Sequence, residues 1–534
     1  MRSSTIARLT CVLGCVFAVG SAAESLRVGL ASQPTTIDPH HHLIAPNAAL
    51  AAHIFESLVD MDADMRLIPR LAESWKAADD LTWEFKLRPN VKFSNGEPFT
   101  SKDVVFTLCR VLNNETAIAG YGSTAKRIVK VETPDATTVR LITARPYPLL
   151  VNEMANMPMI WSGIAQSDKL TYDPTAACGV PNWPAVDDFN SGYAAIGTGP
   201  YQLKSFVKGS GIKLSRNDAY WGEKPHWDAV SLVPVTASDS RLTGLLAGDF
   251  DLMESPPVRD LARLKSSGFD VEIKPSVRVM FLQLDVGRVQ SPQVKSAKGD
   301  NPLQDARVRQ AMSMAIDRQA IVERVMGGVA TPAYQFLPGG MFGALRQAPE
   351  LEYDPLTAKA LLVAAGYPNG FELTLAGSND RYINDAQILQ AVAQYFARIG
   401  IDTDVETMTQ AVFFSRRAKR EFSAALSGWG ADTGEASNFF QHYAASCNPA
   451  TGRGLNNYDG YSNAQLDRTI ADALRTVDDV KRAELLNQVI TIALEDLPNI
   501  PLHYESSIWA FRKGYQYEGR ADQRTMAMSL RPVK

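Results

Sequence analysis

Cysteine and histidine are scarce, five and seven in 534 residues. No Cys-x-x-Cys occurs, which argues against a zinc ribbon or a thioredoxin-like site. Past residue 23, no stretch approaches the roughly 18 apolar residues of a membrane span. Glycine and proline, at 36 and 30, are too sparse for a collagen-like or low-complexity chain. The 45% hydrophobic and 21% charged fractions are those of a globular protein, so disorder is excluded as well. Positive charge is not in excess: 54 Lys and Arg face 58 Asp and Glu, a net charge of −4. Phosphate neutralisation needs a basic surface, so nucleic acid is not the main partner. Gly-x-Ser-x-Gly, His-Glu-x-x-His and a P-loop are missing, and Gly197-Thr198-Gly199 lacks the third glycine of a dinucleotide fingerprint. An exported hydrolase therefore has no positive support, the chain reads as a non-enzyme, and no cofactor is implied. What the length does supply is material for three or four structural units, or two large lobes.

The first segment has a direction. Arg2 and Arg8 are the only charges before Glu24, Leu9 to Gly20 is apolar or small, and Gly20-Ser21-Ala22-Ala23 offers small residues for cleavage. Basic start, short apolar centre and small-residue exit are the parts of a secretory signal, which predicts export after removal of residues 1–23. Val12-Leu13-Gly14-Cys15 resembles a lipobox, but few apolar residues precede Cys15 and the apolar run continues past it to Val19, so lipid anchoring is the weaker reading. Cys109, Cys178 and Cys447 remain in the mature chain; they permit one bridge and leave an odd thiol, with the pairing open.

Residues 82–107 read as a hairpin followed by a helix. Trp83, Phe85 and Leu87 alternate with charged residues, Asn95-Gly96 signals a turn, and Thr100 with Asp103 forms a capping box. Further strands are expected at 128–131 and 139–142, making an antiparallel α+β module. Residues 158–200, with five prolines, read as surface loops. Strands follow at 201–206, 212–214, 232–235 and 251–253, the last two flanking a helix near 241–247. The second half turns α/β: a helix from Asp305 to Met326, and another opened by Asp354-Pro355 and closed by Gly366. A strand at 371–375, a helix through Ile388 and Ile399 and a strand at 401–408 then form a βαβ crossover, which implies a parallel pair. After a helix near 412–419, the strand 423–429 leads into Gly430-Ala431-Asp432-Thr433-Gly434. Parallel α/β sheets bind ligands beyond the carboxyl ends of their strands, so that loop is the first place to look.

Five stretches in register carry a resemblance: Leu71-Ala72-Glu73-Ser74-Trp75; the run from Trp83 to Gly96; Gly197-Thr198-Gly199-Pro200-Tyr201; Arg216-Asn217-Asp218-Ala219-Tyr220-Trp221-Gly222; and Val308-Arg309-Gln310-Ala311 with Ala315-Ile316-Asp317-Arg318. Together they resemble the family 5 solute-binding proteins of bacterial ABC importers, the dipeptide, oligopeptide and nickel group, from about Leu26 to the C-terminus. The resemblance implies an α/β, two-lobed clamshell periplasmic binding protein (type II, cluster C) with an extra α+β module on lobe I. Lobe I would comprise 24–57, 193–278 and 505–534, the module 58–192, and lobe II 279–504, with hinge crossings near Ser276-Val277 and Tyr504-Glu505. It further implies a monomer that captures a short peptide and delivers it to a cognate ABC permease. An opine, a sugar, glutathione, haem or nickel is the alternative cargo on the same fold.

In peptide-binding members an Asp after a Gly-Trp strand end pairs with the ligand's α-amine. Gly428-Trp429, Asp432, Gly434 and Asn438-Phe439 resemble the dipeptide-binding branch, and Arg381 matches the arginine kept there for the ligand carboxylate. The expected ligand-binding residues are thus Asp432, Arg381, Trp429, Gly430 and Asn438. Three of them have a plainer role: Asp432 as a cap for the helix toward Tyr443, Arg381 as a solvent-facing side chain, Trp429 as core. The family pattern places an acidic residue or Asn and then Pro shortly after the Asp; Glu435-Ala436 stands here instead, which bears on ligand size. His40-His41-His42 invites a metal reading, but adjacent histidines cannot all face one ion in regular structure; they are expected to line lobe I's approach to the cleft or to have no role, and no metal site is assigned.

Overall fold

Two long strands, Phe269–Leu284 and Asn499–Arg512, run antiparallel through the middle of one twelve-stranded sheet. The computed structural model describes residues 24–118, 121–165, 167, 169–175 and 178–533; the signal segment read in residues 1–23 lies outside them. The ladder between the two strands is regular from Phe269↔Arg512 to Pro275↔Ser506, breaks, and resumes at Val279↔Tyr504. Pro275 has no N–H to give, which is one reason the ladder fails there. On one side of the break the sheet continues through Leu252–Glu254, Ser25–Leu30, Ala229–Pro234, Gly211–Arg216 and Tyr201–Val207. On the other it continues through Ala424–Gly430 and Glu372–Ser378, with Asp402–Met408 at its margin. Each half has its own apolar cores: one set gathers Leu26, Val28, Tyr201, Leu252 and Trp509, the other Met280, Leu375, Ile388, Val392 and Leu426.

A separate antiparallel sheet, in the order Ala72–Ala77, Thr82–Leu87, Thr138–Thr143, Ile128–Asp135, packs with the helix Ser101–Leu112 around Phe85, Val104, Leu108 and Leu141. The expected capping box is present: the Asp103 carboxylate accepts from the Thr100 N–H at 2.8 Å and from its hydroxyl at 3.2 Å. The hairpin expectation needs correction. Gly96 does turn the chain with φ +90°, but its arms form only the isolated bridge Lys92↔Pro98. Thr82–Leu87 instead pairs with Ala72–Ala77 and with Thr138–Thr143. Turn chemistry is local and readable; a strand's partner is set by the module's shared core.

In the second half the βαβ reading holds: Glu372–Ser378 pairs in parallel with Asp402–Met408 across the helix Asp385–Arg398. Asp354 caps Pro355–Ala364 by accepting from the N–H groups of Leu356 and Thr357, each at 3.0 Å. The single helix expected from Asp305 to Met326 is instead broken after Met314. Asp317 accepts from the Ala320 N–H at 2.8 Å and starts a new helical segment at Arg318. The break lets Arg318 turn inward, where it donates to the carbonyls of Pro501 and Ser313 and to the Ser313 hydroxyl. Burial pulls that guanidinium down to about 10. Gly197 and Gly199 have a steric reason as well, since a Cβ on Gly197 would lie 1.9 Å from the Ile54 carbonyl oxygen at the end of helix Ala45–Ile54.

Cys109 is joined to Cys178, 69 residues away, and Cys447 is left exposed as a free thiol. Closing a loop of that length removes disorder from the unfolded chain. Replacing both residues with Ala is expected to cost about 2–4 kcal/mol. Urea unfolding with and without reductant checks this, and coincident curves for the parent chain would show that the bridge contributes nothing.

Candidate functional site

The strands Glu372–Ser378 and Ala424–Gly430 are parallel neighbours, so their carboxyl ends open at the same edge of the sheet. Arg381 stands three residues beyond the first end and Asp432 two beyond the second. The Asp385 carboxylate fixes the first loop, accepting from the N–H groups of Arg381 and Tyr382 at 3.2 Å each and from the Ser378 hydroxyl at 2.8 Å. The Tyr382 hydroxyl accepts from the Gly428 N–H at 3.1 Å and so ties that loop to the second strand. The Arg381 guanidinium lies over the Tyr382 ring, 5.2 Å from its centroid. Among the described residues it has no carboxylate within 4 Å.

Asp432 is not a helix cap. The helical segment begins at Ser437 behind Ala436, and the Asp432 carboxylate is exposed in the cleft with no counter-ion within 4 Å among the described residues. Its backbone, by contrast, is held: Asn156 donates to the Asp432 carbonyl at 3.4 Å and Asn152 to that of Thr433 at 2.8 Å, so the antiparallel module touches this loop directly. The protein mass around it pushes the Asp432 carboxyl up, while Arg278 and Arg524 pull it back and Asp522 adds to the rise; the net is upward. Arg381 is shifted down, first by burial and then by Arg278. Arg278 thus acts on both residues. It is itself occupied, donating to the Gln523 side chain at 2.8 and 3.1 Å and lying 3.5 Å from Glu505.

Opposite this edge lies a cavity that opens to solvent. Ala48, Ala51 and Ala52 of helix Ala45–Ile54, with Phe55 just past its end, form one apolar wall, with small residues at helical spacing that leave room. Asn156, Arg520 and Arg524 line the side nearest Asp432. Arg524 donates to the Asn156 side chain at 2.6 Å, and it shares one carboxylate, Asp522, with Arg520. Burial pushes Asp522 up, but the two guanidiniums outweigh it and its carboxyl ends below the usual range. Arg70 is answered by Glu56 at 2.8 Å and Asp60 at 3.8 Å. Glu56 also accepts from the Tyr220 hydroxyl and the Trp221 indole, which explains the aromatic pair in the fourth family stretch.

The other expected residues divide. Gly430 ends its strand beside Asp432, whose Oδ1 would sit 3.2 Å from a Cβ placed there. Trp429 is half-buried against Tyr443 and His442, and its indole N–H donates to the Asn438 side chain at 2.6 Å. Asn438 is buried and holds Trp429, so it reaches a ligand only through that ring. Glu435 turns away from the cleft into a buried ion pair with Arg482. Of the three adjacent histidines, His42 lines the cavity, whereas His40 is buried between Arg110 and the Pro158 carbonyl. Arg278, Arg520, Arg524 and Asn156 were missed, because they come from the ladder break, the C-terminal tail and the module, where no local motif marks them.

Two sheet halves joined through two long strands, with a charged cleft between them, define a two-lobed solute-binding protein. The chain matches the family described as bacterial extracellular solute-binding proteins, family 5 (middle), over residues 66–450, and it belongs to that family, the solute-binding components of ABC importers. It is 30% identical over 503 residues to the glutathione-binding protein GsiB of Salmonella paratyphi A, covering 92% of this chain and 91% of that one. HbpA2 of Haemophilus parasuis shares the fold with a TM-score of 0.77 at 24% identity, covering 96% of this chain and 100% of the other. The Helicobacter pylori DppA, solved with the peptide STSA, gives 0.71 at 21% identity over 96% and 99%. These families and neighbours are binding proteins. Among the described residues no helix is long and apolar enough to cross a membrane.

Proposed function

We propose that this chain captures a short peptide between its lobes, with the α-ammonium on Asp432 and a carboxylate on Arg381, and delivers it to an ABC permease from the periplasm as a monomer without catalysing a reaction. Residues 1–23 act as a cleaved signal. Residues 24–57, 193–278 and 505–534 form lobe I, 58–192 the module and 279–504 lobe II, with the ladder break at Pro275–Val279 as the hinge. The observation that carries the reading is the pair of unanswered opposite charges, Asp432 and Arg381, at neighbouring strand ends of one cleft. Arg524, which has only half of Asp522, offers a place for a second carboxylate. One ammonium and two carboxylates are the charges of glutathione, and the GsiB relative supports that choice within the peptide class.

Calorimetric titration with glutathione, Ala-Ala and Ala-Ala-Ala-Ala tests it. Glutathione at 100 times its dissociation constant should add about 2.7 kcal/mol of stability. Amidating the ligand's glycyl carboxylate and replacing Arg381 with Ala should each weaken binding about tenfold or more, and the two together should cost little beyond either one. Full additivity would place the carboxylate elsewhere, and the absence of binding by all three peptides would overturn the reading.

The raised Asp432 carboxyl gives a pH dependence with a definite sign. An ammonium ligand needs the ionised form and lowers the group's pKa when bound. Affinity should therefore be full at neutral pH and fall on acidification through Asp432's pKa in the free protein, beginning above the usual value of about 3.9 for Asp. Titrations at stepped pH check it, and an Asp432→Asn chain should lose this dependence.

A further inference from the structure

The C-terminal tail presents one guanidinium to the cleft and ties back the groups around it. Asp522 organises the turn: it accepts from the Arg524 N–H at 3.0 Å and from the Arg520 guanidinium at 2.6, 3.0 and 3.1 Å. Arg520 also donates to the Met61 carbonyl at 2.8 Å, so its charge is answered and its place fixed. Gln523 has φ +65°, a left-handed conformation that residues other than glycine rarely adopt. From there the Gln523 side chain reaches Arg278, whose Nη2 donates to it at 2.8 Å, while Arg524 reaches Asn156 at 2.6 Å. That is the one hydrogen bond of the Arg524 guanidinium among the described residues. Its side chain is 17% exposed and lines the cleft, with the Nη1 donors unused.

Asn156 brings this cation to Asp432. Its oxygen accepts from Arg524 while its nitrogen donates to the Asp432 carbonyl at 3.4 Å, so the two residues are one carboxamide apart. Arg278, which holds Gln523, and the Asp432 Oδ1 both flank Gly430. The closeness is felt electrostatically, since Arg524 is one of the two cations that pull the Asp432 carboxyl down against its burial. A carboxylate and a guanidinium held this near suit a ligand with ammonium and carboxylate on one carbon. In such a head the nitrogen and a carboxylate oxygen are about 3 Å apart, so with a charged hydrogen bond of about 2.8 Å at each end it bridges groups up to about 9 Å apart. An ordinary α-peptide supplies half of this: its first α-carbon carries the ammonium and an uncharged amide, and Arg524 is left facing a carbonyl. A γ-glutamyl group keeps both charges on the α-carbon, because its chain continues from the side-chain carboxyl.

We propose that Asp432 and Arg524 together form a subsite for the α-amino-acid head of a γ-glutamyl group, and that the cargo class is γ-glutamyl peptides whatever the second residue carries. The assignment rests on the peptide-capture reading above and narrows it from a set of charges to a linkage. Asp432 takes the ammonium, Arg524 the carboxylate on the same carbon, and Arg381 the carboxylate at the far end. Because the charge anchors sit at the two ends of the ligand, the middle side chain is not what they read. The thiol of glutathione meets no cysteine there: none lines the cleft, Cys109 and Cys178 are bridged to each other, and the Cys447 thiol is exposed.

The test is calorimetry of the full chain at pH 7, under reductant, with three tripeptides: glutathione, γ-Glu-Ala-Gly and the α-linked isomer Glu-Cys-Gly. The first two are expected to bind within about threefold of each other, and the α-linked isomer about tenfold or more weaker. Arg524→Ala should weaken glutathione about tenfold and bring the two isomers level, while Arg524→Lys keeps part of the preference. A purely structural Arg524 would instead lower all three affinities together and leave the isomer ratio where it was. The parent chain alone decides the linkage, so the test reports even if Arg524→Ala fails to fold. Equal binding of the isomers by the parent, or an unchanged isomer ratio in Arg524→Ala, would overturn the subsite and leave peptide capture standing. A larger preference for glutathione over γ-Glu-Ala-Gly would overturn the indifference to the second residue. No binding by any of the three would overturn the subsite and the capture reading together.

Discussion

Glutathione binding to the Asp432→Asn chain is expected to be weaker by about 2–4 kcal/mol, roughly 30- to 1,000-fold in dissociation constant. The substitution keeps the shape of the side chain and removes only the charge. The protein itself asks little of that charge: Asp432 caps no helix, and no cation lies within 4 Å of it among the described residues. The loop is positioned through backbone carbonyls, by Asn152 and Asn156, and these survive the change. The unfolding midpoint of the free protein should therefore stay where it is while the ligand-induced shift collapses. That separation between an unchanged scaffold and a lost ligand response distinguishes a ligand contact from a structural one. An unchanged affinity would remove Asp432 from the site, and a lowered midpoint would show that its carboxylate holds the loop.

How much of this was legible beforehand depends on how local each cause is. Asp354 and the Thr100–Asp103 pair cap helices through atoms two or three residues away, so the chain announces them. The parallel pair around Asp385–Arg398 was readable because a crossover of that length has few alternatives. The loop after Trp429 could be chosen by strand-end logic alone. Other features depend on distant partners. Thr82–Leu87 finds its neighbours on either side of the chain because Phe85 and Leu141 share a core. The helix expected through Met326 breaks where Arg318 finds the carbonyl of Pro501, a partner far along the chain. The cationic side of the cleft was hidden for the same reason: Arg520 and Arg524 arrive from the C-terminal tail, and Arg278 owes its place to the interruption of the long ladder. Residues that a motif names supply the proposed ligand-facing pair; residues that topology delivers supply the field around it.

Glu435 stands with Ala436 where the family pattern has an acidic residue or Asn and then Pro, and the fold gives Glu435 a consequence for stability. Its carboxylate is buried, accepts from the Ser437 hydroxyl, and pairs with Arg482 of helix Asp479–Asp496. Burial pushes the Glu435 carboxyl up, with Arg482 and Ser437 opposing. Arg482 also lies over the Phe342 ring, 4.8 Å from its centroid, and the Phe342 carbonyl accepts from the Ala436 N–H at 3.0 Å. Truncating one partner strands a charge in an apolar setting. Arg482→Ala is therefore expected to lose about 3–5 kcal/mol, while replacing both at once, Glu435→Leu with Arg482→Met, should stay near the parent because no charge is left unpaired. Urea unfolding of the three chains measures the difference. The single variant should also be more stable at acid than at neutral pH relative to the parent, since a protonated Glu435 no longer needs its cation. Equal losses in the single and double variants would mean that the residues act through volume rather than charge. Glutathione titration of the double variant adds a second readout: Asn152 and Asn156 still hold the loop carbonyls, so its affinity should stay within about threefold, under 1 kcal/mol, of the parent. A larger loss would make the ion pair part of what positions Asp432.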